Sequence, residues 1–245
     1  AKANKNLAVV LITGNAVSMP WVKDVPSILQ TWYLGSEAGN ALASVLAGDA
    51  NPSGKLPFSF PVKLEDNGAH KLGEFPGNKE EIAAGKGKDK NNPINIKYNE
   101  GIFVGYRWHD TKNIKPLFSF GHGLSYTTFE FGKVKADKTK ISKDDKITFT
   151  VSVKNIGNRE GAEVVQLYIS DLKSSLPRPT KELKGFEKVS LKPGETKEVS
   201  LTIDKAALSF FDPVKHEWVA EAGDFEALIG NSSSNIKTKL KFSLQ

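Results

Sequence analysis

The sequence predicts an α/β segment, with a partial and mostly parallel sheet and helices, followed by an all-β sandwich. Two observations carry this prediction. In the first 60 residues, a continuous apolar run is followed by apolar residues at helical spacing, which is the order typical of α/β proteins. From Phe129 onward, apolar and polar residues alternate with a period of two, which indicates strands with one buried face.

The composition indicates a globular protein with a solvated, basic surface. Of the 245 residues, 39% are apolar and 25% charged, and no apolar run is long enough to span a bilayer. The net charge is +6, but only three of the 34 basic residues are Arg, and the lysines are spread among acidic residues. Nucleic-acid sites favour clustered Arg, so we expect no nucleic-acid partner. The absence of Cys excludes disulfides and thiolate metal sites.

The opening strand and helix are predicted from residues 7–12 and 24–32. The apolar run LAVVLI at 7–12 suits a strand buried on both faces of a parallel sheet. Its abrupt start, with no helix cap or turn before it, indicates either a cut inside a larger fold or a mature or engineered end. Asp24 and Pro26 fit the start of a helix whose Ile28, Leu29 and Trp32 would share one face.

A second helix and a short extended piece follow. EAGNALASVLAG at 37–48 has apolar residues at helical spacing and ends on Gly48, a suitable helix stop. A turn at 51–54 then leads to an extended piece at 55–60. Residues 65–93 are poor in aromatics and rich in Gly, Lys, Asn and Asp, so they are predicted to form a polar insertion, with GKGKDKNN at its mobile end.

Residues 98–131 are dense in aromatics and glycines and divide the two segments. A stretch of this kind must bury most of its rings, so we expect it to pack as a clasp between the two halves, with Phe120 as a buried structural ring. The domains are therefore predicted as 1–125 and 126–245. Arg107, between Tyr106 and Trp108 on an extended chain, is predicted to pair with Glu100 or Asp110.

The second domain is predicted to be an antiparallel sandwich of the immunoglobulin or fibronectin type III kind. Seven segments alternate apolar and polar residues, and turn residues such as Pro193 and Gly194 separate them. These segments are KITFTVSVKN, EVVQLYIS, KGFEKVSL, KEVSLTI, ALSFFD, DFEALIG and KTKLKFSL.

No cofactor or metal site is predicted. The four histidines, His70, His109, His122 and His216, are scattered, without metal-ligand spacing. No phosphate-binding glycine loop occurs.

Several long stretches, in order, resemble glycoside hydrolase family 3, the β-glucosidase and β-xylosidase family. The first half resembles the end of that family's α/β sandwich domain, and the second half resembles its C-terminal fibronectin type III-like domain. The stretches are GNAVSMPW, WYLGSEAGNALASVLAGDANPSGKLPFSFP, YNEGIFVGYRWHD, FSFGHGLSYTTFEF, VKNIGNREGAEVVQLYISD, RPTKELKGFEKVSLKPGET and WVAEAGDFEALIGNSS.

The resemblance implies a role in a retaining β-glycosidase that acts on oligosaccharides or aryl β-glycosides. In the family, the nucleophilic Asp lies in an N-terminal barrel domain, and the acid/base Glu lies early in the α/β domain. Neither position matches a residue here, so the resemblance implies no catalytic residue in this chain, which we expect to be inactive without the barrel. It also implies a periplasmic or secreted location.

Two residues are candidates for contacts with the sugar. Ligands of α/β sheets collect beyond the carboxyl ends of the strands, and Asn15 and Trp21 follow the first predicted strand. An amide can bond sugar hydroxyls, and an indole can stack on a pyranose ring. Trp21 as a core residue and Asn15 as a turn residue are the simpler alternatives. At the level of the whole chain, the alternative is a non-catalytic sandwich module that binds carbohydrate or protein.

Overall fold

A computed structural model describes residues 1–88 and 91–245, which form two compact units. The first unit comprises residues 1–38 and 58–118, and the second comprises 39–57 and 119–245. The second unit therefore takes up a segment from the first half of the chain in addition to the sandwich. The predicted boundary at 125/126 stays a prediction.

The first unit opens with a parallel pair of strands, β1 (Ala8–Leu11) and β2 (Ser27–Gln30). The predicted strand at 7–12 is thus confirmed, but its predicted burial on both faces is wrong for this chain, because Ala8 is exposed and residues 9–11 are only half-buried. The helix predicted from Asp24 is also wrong. Val25 is extended before Pro26, because a proline disfavours the helical region for the residue before it. Only a 3-10 turn, Val22–Asp24, precedes β2, which pairs in register with β1.

Four short helices follow along the chain. Helix α1 (Ala38–Ala47) confirms the second predicted helix, and Gly48 ends it at φ +85°. Helices α2 (Gly68–Lys71) and α3 (Lys79–Ala83) lie within the predicted polar insertion, of which Asp89 and Lys90 fall outside the described residues. Helix α4 is Tyr106–Thr111.

Helix α4 corrects the predicted extended chain at Tyr106–Trp108. Gly105 has φ +58°, a conformation that glycine adopts without steric cost, and it turns the chain directly into the helix. Trp108 is 5% exposed, and its Nε1–H donates to the Asp66 carbonyl oxygen at 3.0 Å. The alternation expected of an extended chain therefore does not apply to Arg107.

The sandwich in the second unit confirms most of the predicted strands. Its strands are β3 (Phe129–Phe131), β4 (Lys135–Ala136), β5 (Lys140–Ile141), β6 (Ile147–Asn155), β7 (Gly161–Asp171), β8 (Glu182–Leu191), β9 (Thr196–Ile203), β10 (Phe210–Asp212), β11 (Glu217–Val219), β12 (Gly223–Gly230) and β13 (Ile236–Leu244). One sheet has the order β5-β13-β12-β7-β8. In the other, β6 pairs with β3, β4 and β9, and β10 and β11 form a separate hairpin.

The sandwich core consists of the inward-facing residues of both sheets. The ring of Phe242 contacts Phe149 edge-on at 5.4 Å and stacks on Phe225 at 5.6 Å between ring centres. The one partial exception to the predicted strands is ALSFFD. Its first residues form helix α5 (Lys205–Leu208), because the Asp204 carboxylate accepts a hydrogen bond from the Ala206 N–H and caps the helix.

The aromatic stretch 98–131 buries fewer rings than predicted. Trp108 is buried and Phe120 is half-buried, but Tyr98 is 77% exposed and Tyr126 44% exposed in this chain. The expected role of the stretch as a clasp stays a prediction. Among the described helices, none combines the length and the apolar character needed to cross a membrane.

Candidate functional site

The carboxyl ends of β1 and β2 meet at one edge of the parallel pair. The Gln30 side-chain amide donates to the Thr13 carbonyl oxygen at 3.0 Å and to Thr13 Oγ1 at 3.2 Å. The backbone N–H and the hydroxyl of Thr31 both donate to the Leu11 carbonyl oxygen, at 2.9 and 3.0 Å. We call residues 13–15 and 30–33 the strand-end site.

Asn15 lies in this site with an exposed side chain. Its carbonyl oxygen accepts a hydrogen bond from Thr13 Oγ1 at 3.0 Å, which fixes the turn after β1 and leaves the amide group at the surface. Trp21 is half-buried and precedes the 3-10 turn, where its carbonyl oxygen accepts a hydrogen bond from the Asp24 N–H. Within the described residues, no hydrogen bond or ring contact joins Asn15 to Trp21.

Sequence reasoning missed Gln30, the last residue of the strand that was predicted as a helix, and Trp32 and Tyr33, which follow that strand. Trp32 has φ +56°, an unusual conformation for a bulky residue, and its ring contacts Phe58 edge-on at 5.2 Å. Tyr33 is 77% exposed, and its ring packs over Gly14 so closely that a Cβ there would lie 2.9 Å from Tyr33 Cε2. The sequence does contain a signal for these residues, because polar and aromatic residues at 30–33 directly follow the apolar Ile28 and Leu29.

The strand-end site offers amide, hydroxyl and aromatic groups. Asn15 and Gln30 provide amides, Thr13 and Tyr33 provide hydroxyls, and the exposed ring of Tyr33 provides an apolar face. This set suits a neutral, hydroxyl-rich ligand, which needs several hydrogen bonds and an apolar face. In the part of the chain that the structure describes, no group of three or more His, Asp or Glu side chains is placed to hold a metal ion.

The predicted structural residues near α4 have different environments. Glu100 is 7% exposed, and its Oε2 has no hydrogen-bond partner among the described residues. Arg107 and Asp110 are three residues apart on α4, where such positions are neighbours. Their predicted ion pairing stays a prediction. Phe120 belongs to the second unit, where its carbonyl oxygen accepts a hydrogen bond from the Ser233 N–H at 2.9 Å.

In the second unit, residues 51–57, the first part of the motif NPSGKLPFSFP, and the motif FGHGLSY are held together by their backbones. Leu56 N–H donates to the His122 carbonyl oxygen, and Gly121 N–H donates to the Leu56 carbonyl oxygen. A Cβ on Gly123 would lie only 2.1 Å from the Gly54 carbonyl oxygen, so this close approach requires glycine. Burial, followed by the positive charge of Lys55, holds the pKa of His122 below its ordinary value.

Two family models match this chain. Residues 1–106 match the glycosyl hydrolase family 3 C-terminal domain, and residues 163–233 match the fibronectin type III-like domain. Over 98% of its length, the chain is 52% identical to a β-glucosidase of Bacteroides ovatus and 47% identical to thermostable β-glucosidase B of Acetivibrio thermocellus. It covers 31% and 30% of those two proteins.

Solved structures of β-glucosidases also match all or nearly all of this chain. A β-glucosidase from Kluyveromyces marxianus in complex with glucose matches all of this chain with a TM-score of 0.86 at 42% identity. β-Glucosidase 3B from Thermotoga neapolitana in complex with α-D-glucose matches 99% of it with a TM-score of 0.86 at 39% identity. The chain covers 27% and 31% of these structures, so it spans less than a third of the length of these relatives.

Proposed function

This chain belongs to glycoside hydrolase family 3 as the C-terminal part of such an enzyme, and we propose that the full-length protein is a β-glucosidase. The proposed reaction is hydrolysis of O-glycosidic bonds in β-linked oligosaccharides or aryl β-glycosides. The observation that carries the proposal is the 52% identity to a β-glucosidase over 98% of this chain.

The proposed mechanism is retaining and needs residues outside this chain. Two carboxyl groups about 5–5.5 Å apart act in such enzymes, one as the nucleophile at the anomeric carbon and one as the acid and base. We place both in the part of the protein that precedes this chain, with the nucleophile in an N-terminal barrel domain. The chain alone is then inactive. The family likeness also supports a periplasmic or secreted location.

The proposed role of this chain is to complete one wall of the substrate cleft. The strand-end site lies at the edge of a parallel sheet where α/β proteins bind ligands, and Asn15 is exposed there. Asn15, Trp21, Gln30 and Tyr33 are the proposed contacts to sugar hydroxyls and ring faces. They position the substrate and perform no chemistry themselves.

The test of the reaction uses the protein expressed from its full-length reading frame. It should release nitrophenol from aryl β-glucosides, and proton NMR at early times should detect β-glucose as the first product, since a retaining enzyme inverts the anomeric carbon twice. First appearance of α-glucose would contradict the retaining mechanism. No hydrolysis of any β-glycoside by the folded full-length protein would contradict the proposed activity.

The test of the cleft wall uses Asn15→Ala and Tyr33→Ala in the same protein. Loss of a ligand hydrogen bond or of a stacking face should raise KM about tenfold or more, since about 1.4 kcal/mol corresponds to a factor of ten. Lys5→Ala, at an exposed residue before β1, is the control and should leave KM unchanged. An unchanged KM in both site variants would contradict the proposal that the strand-end site forms part of the substrate cleft.

The alternative function, a carbohydrate-binding sandwich, has one observation in its favour. On the β10–β11 hairpin, Trp218 is 69% exposed and Phe211 46% exposed, and their rings contact edge-on at 5.9 Å. Exposed aromatic faces on a rigid hairpin can stack on sugar rings. Retention of the 245-residue chain on insoluble β-glucan, lost in Trp218→Ala, would support this function; equal retention of both proteins would contradict it.

A further inference from the structure

A cavity in the first unit is lined in part by Glu100, a buried acidic residue. It has a volume of about 160 Å³ and is lined by residues 67–69, 100, 103–105 and 108. This is many times the roughly 10–15 Å³ that one water molecule requires. The residues that line it include Glu100, Phe103 and Trp108.

One carboxyl oxygen of Glu100 is buried without a hydrogen-bond partner among the described residues. The residue is 7% exposed, and Oε2 is shielded from solvent and has no hydrogen-bond partner in residues 1–88 and 91–245. A buried carboxyl oxygen in this state is costly, because burial removes its water and no donor replaces it. The neighbouring buried Glu74 differs, since its carboxylate accepts hydrogen bonds from the backbone and side-chain N–H groups of Asn99.

We propose that this cavity binds an alkylguanidinium group, with its cation on Glu100 and its plane against the aromatic lining. A guanidinium forms charge-assisted hydrogen bonds with a carboxylate and stacks on aromatic rings, and the residues that line this cavity include one Glu and two aromatic residues. The Trp108 ring also accepts cations, since Lys112 Nζ lies 5.5 Å from its centre. Lys112 is exposed, so solvent screens its charge from a second cation.

Such a group has two sources, an arginine side chain or a free guanidino compound. The relatives are more than three times as long as the portion this chain matches, so an arginine from the remaining part of a full-length protein is one source. Both sources present the same alkylguanidinium group to the cavity. Its proposed binding does not depend on the proposed glycosidase activity.

The test adds ethylguanidinium chloride to the 245-residue chain at constant ionic strength and follows the Trp108 indole N–H signal by NMR. We expect a saturable shift in the millimolar range, weakened at least tenfold in Glu100→Gln. Ethylurea, a neutral molecule of the same shape, should cause no saturable shift. Glu65→Gln, at an exposed carboxylate, is the matched control and should bind as the unchanged protein does.

A second variant covers the case in which Glu100→Gln fails to fold. In Gly68→Ala, the added Cβ would lie 3.1 Å from Trp108 Cδ2 and 3.4 Å from Glu100 Cβ, so it narrows the cavity and keeps the carboxylate. It should weaken binding at least tenfold. No saturable shift in the unchanged chain, or an equal shift with ethylurea, would overturn the proposal.

The full-length protein distinguishes the two sources. If an arginine of the same protein fills the cavity, ethylguanidinium binds the 245-residue chain and not the full-length protein. If the 245-residue chain and the full-length protein both bind ethylguanidinium, the natural ligand is a free guanidino compound. Either result supports the site, provided that binding of ethylguanidinium to the 245-residue chain is weakened in Glu100→Gln.

Discussion

Lys55 Nζ lies 2.6 Å from Glu163 Oε1, and the two side chains are only 13% and 6% exposed. The pair joins the segment that follows α1 to strand β7 within the second unit. Lys55 Nζ also donates to the Gly123 carbonyl oxygen at 2.8 Å, and Glu163 Oε2 accepts a hydrogen bond from Asn231 Nδ2 at 2.9 Å. The motif NPSGKLPFSFP thus has a structural role that its sequence alone did not show.

Removing one partner of this ion pair should destabilise the protein. Glu163→Gln leaves the Lys55 charge buried without a counterion, which typically costs about 3–5 kcal/mol. Glu226→Gln is the control, because its partner Lys239 is 66% exposed and such pairs contribute about 0–1 kcal/mol. Urea unfolding of both variants measures the difference. Similar free energies of unfolding for the two would contradict a buried, coupled pair.

Adding a methyl group at Gly123 should also destabilise the second unit. The Cβ of Gly123→Ala would meet the Gly54 carbonyl oxygen at 2.1 Å, and backbone displacement of this kind costs about 1–3 kcal/mol. Gly223→Ala is the matched control, because no atom lies within 4 Å of its Cβ position. Thermal melts should show a lower Tm for Gly123→Ala only. A Tm equal to that of the control would refute the close approach.

His122 should make the stability depend on pH below its ordinary pKa of 6.5. Its pKa is lowered in the folded state, by burial first and by Lys55 second, so the unfolded state binds the proton more readily. Stability therefore falls as pH drops below the ordinary value of 6.5, and this loss levels off below the folded pKa. The fall in Tm over this range should be smaller in His122→Asn than in the unchanged protein. The control His216→Asn alters an exposed residue and should keep the full fall; a fall of equal size in His122→Asn would contradict the assignment.

Asp145 should stabilise the sandwich at neutral pH and lose this effect in acid. The backbone N–H and hydroxyl of Ser142 donate to its carboxylate at 2.7 and 2.8 Å and, with Lys138, lower its pKa to about 2. A lowered carboxyl pKa contributes stability above the unfolded value of 3.8, and this contribution is lost as pH falls through about 2. Asp145→Asn should thus lower Tm at pH 7 and converge with the unchanged protein near pH 2. Asp144→Asn, at an exposed neighbouring residue, is the control. A difference in Tm between Asp145→Asn and the unchanged protein that stays constant at all pH values would argue against the assignment.

The long strands could be predicted from the sequence because each has one buried face. In β6, for example, buried Ile147 and Phe149 alternate with less buried threonines. Strand β2 could not be predicted, because its four residues after Pro26 fit the start of a helix as well as a short buried strand.

This one error also hid part of the candidate site. Asn15 was found from the strand before it, whereas Gln30 and Tyr33 were missed because their strand was predicted as a helix. The burial of Glu100 depends on contacts between segments far apart in the chain, such as the approach of Gly68 to Trp108, and no local pattern indicates them.

We propose that this chain is the non-catalytic, C-terminal part of a β-glucosidase. The most direct measurement is nitrophenol release from an aryl β-glucoside by purified residues 1–245 and, in parallel, by the full-length protein at equal molar concentration. We predict turnover by the full-length protein and no release above the buffer blank by residues 1–245. Turnover by residues 1–245 that follows the protein through successive purification steps would contradict the claim.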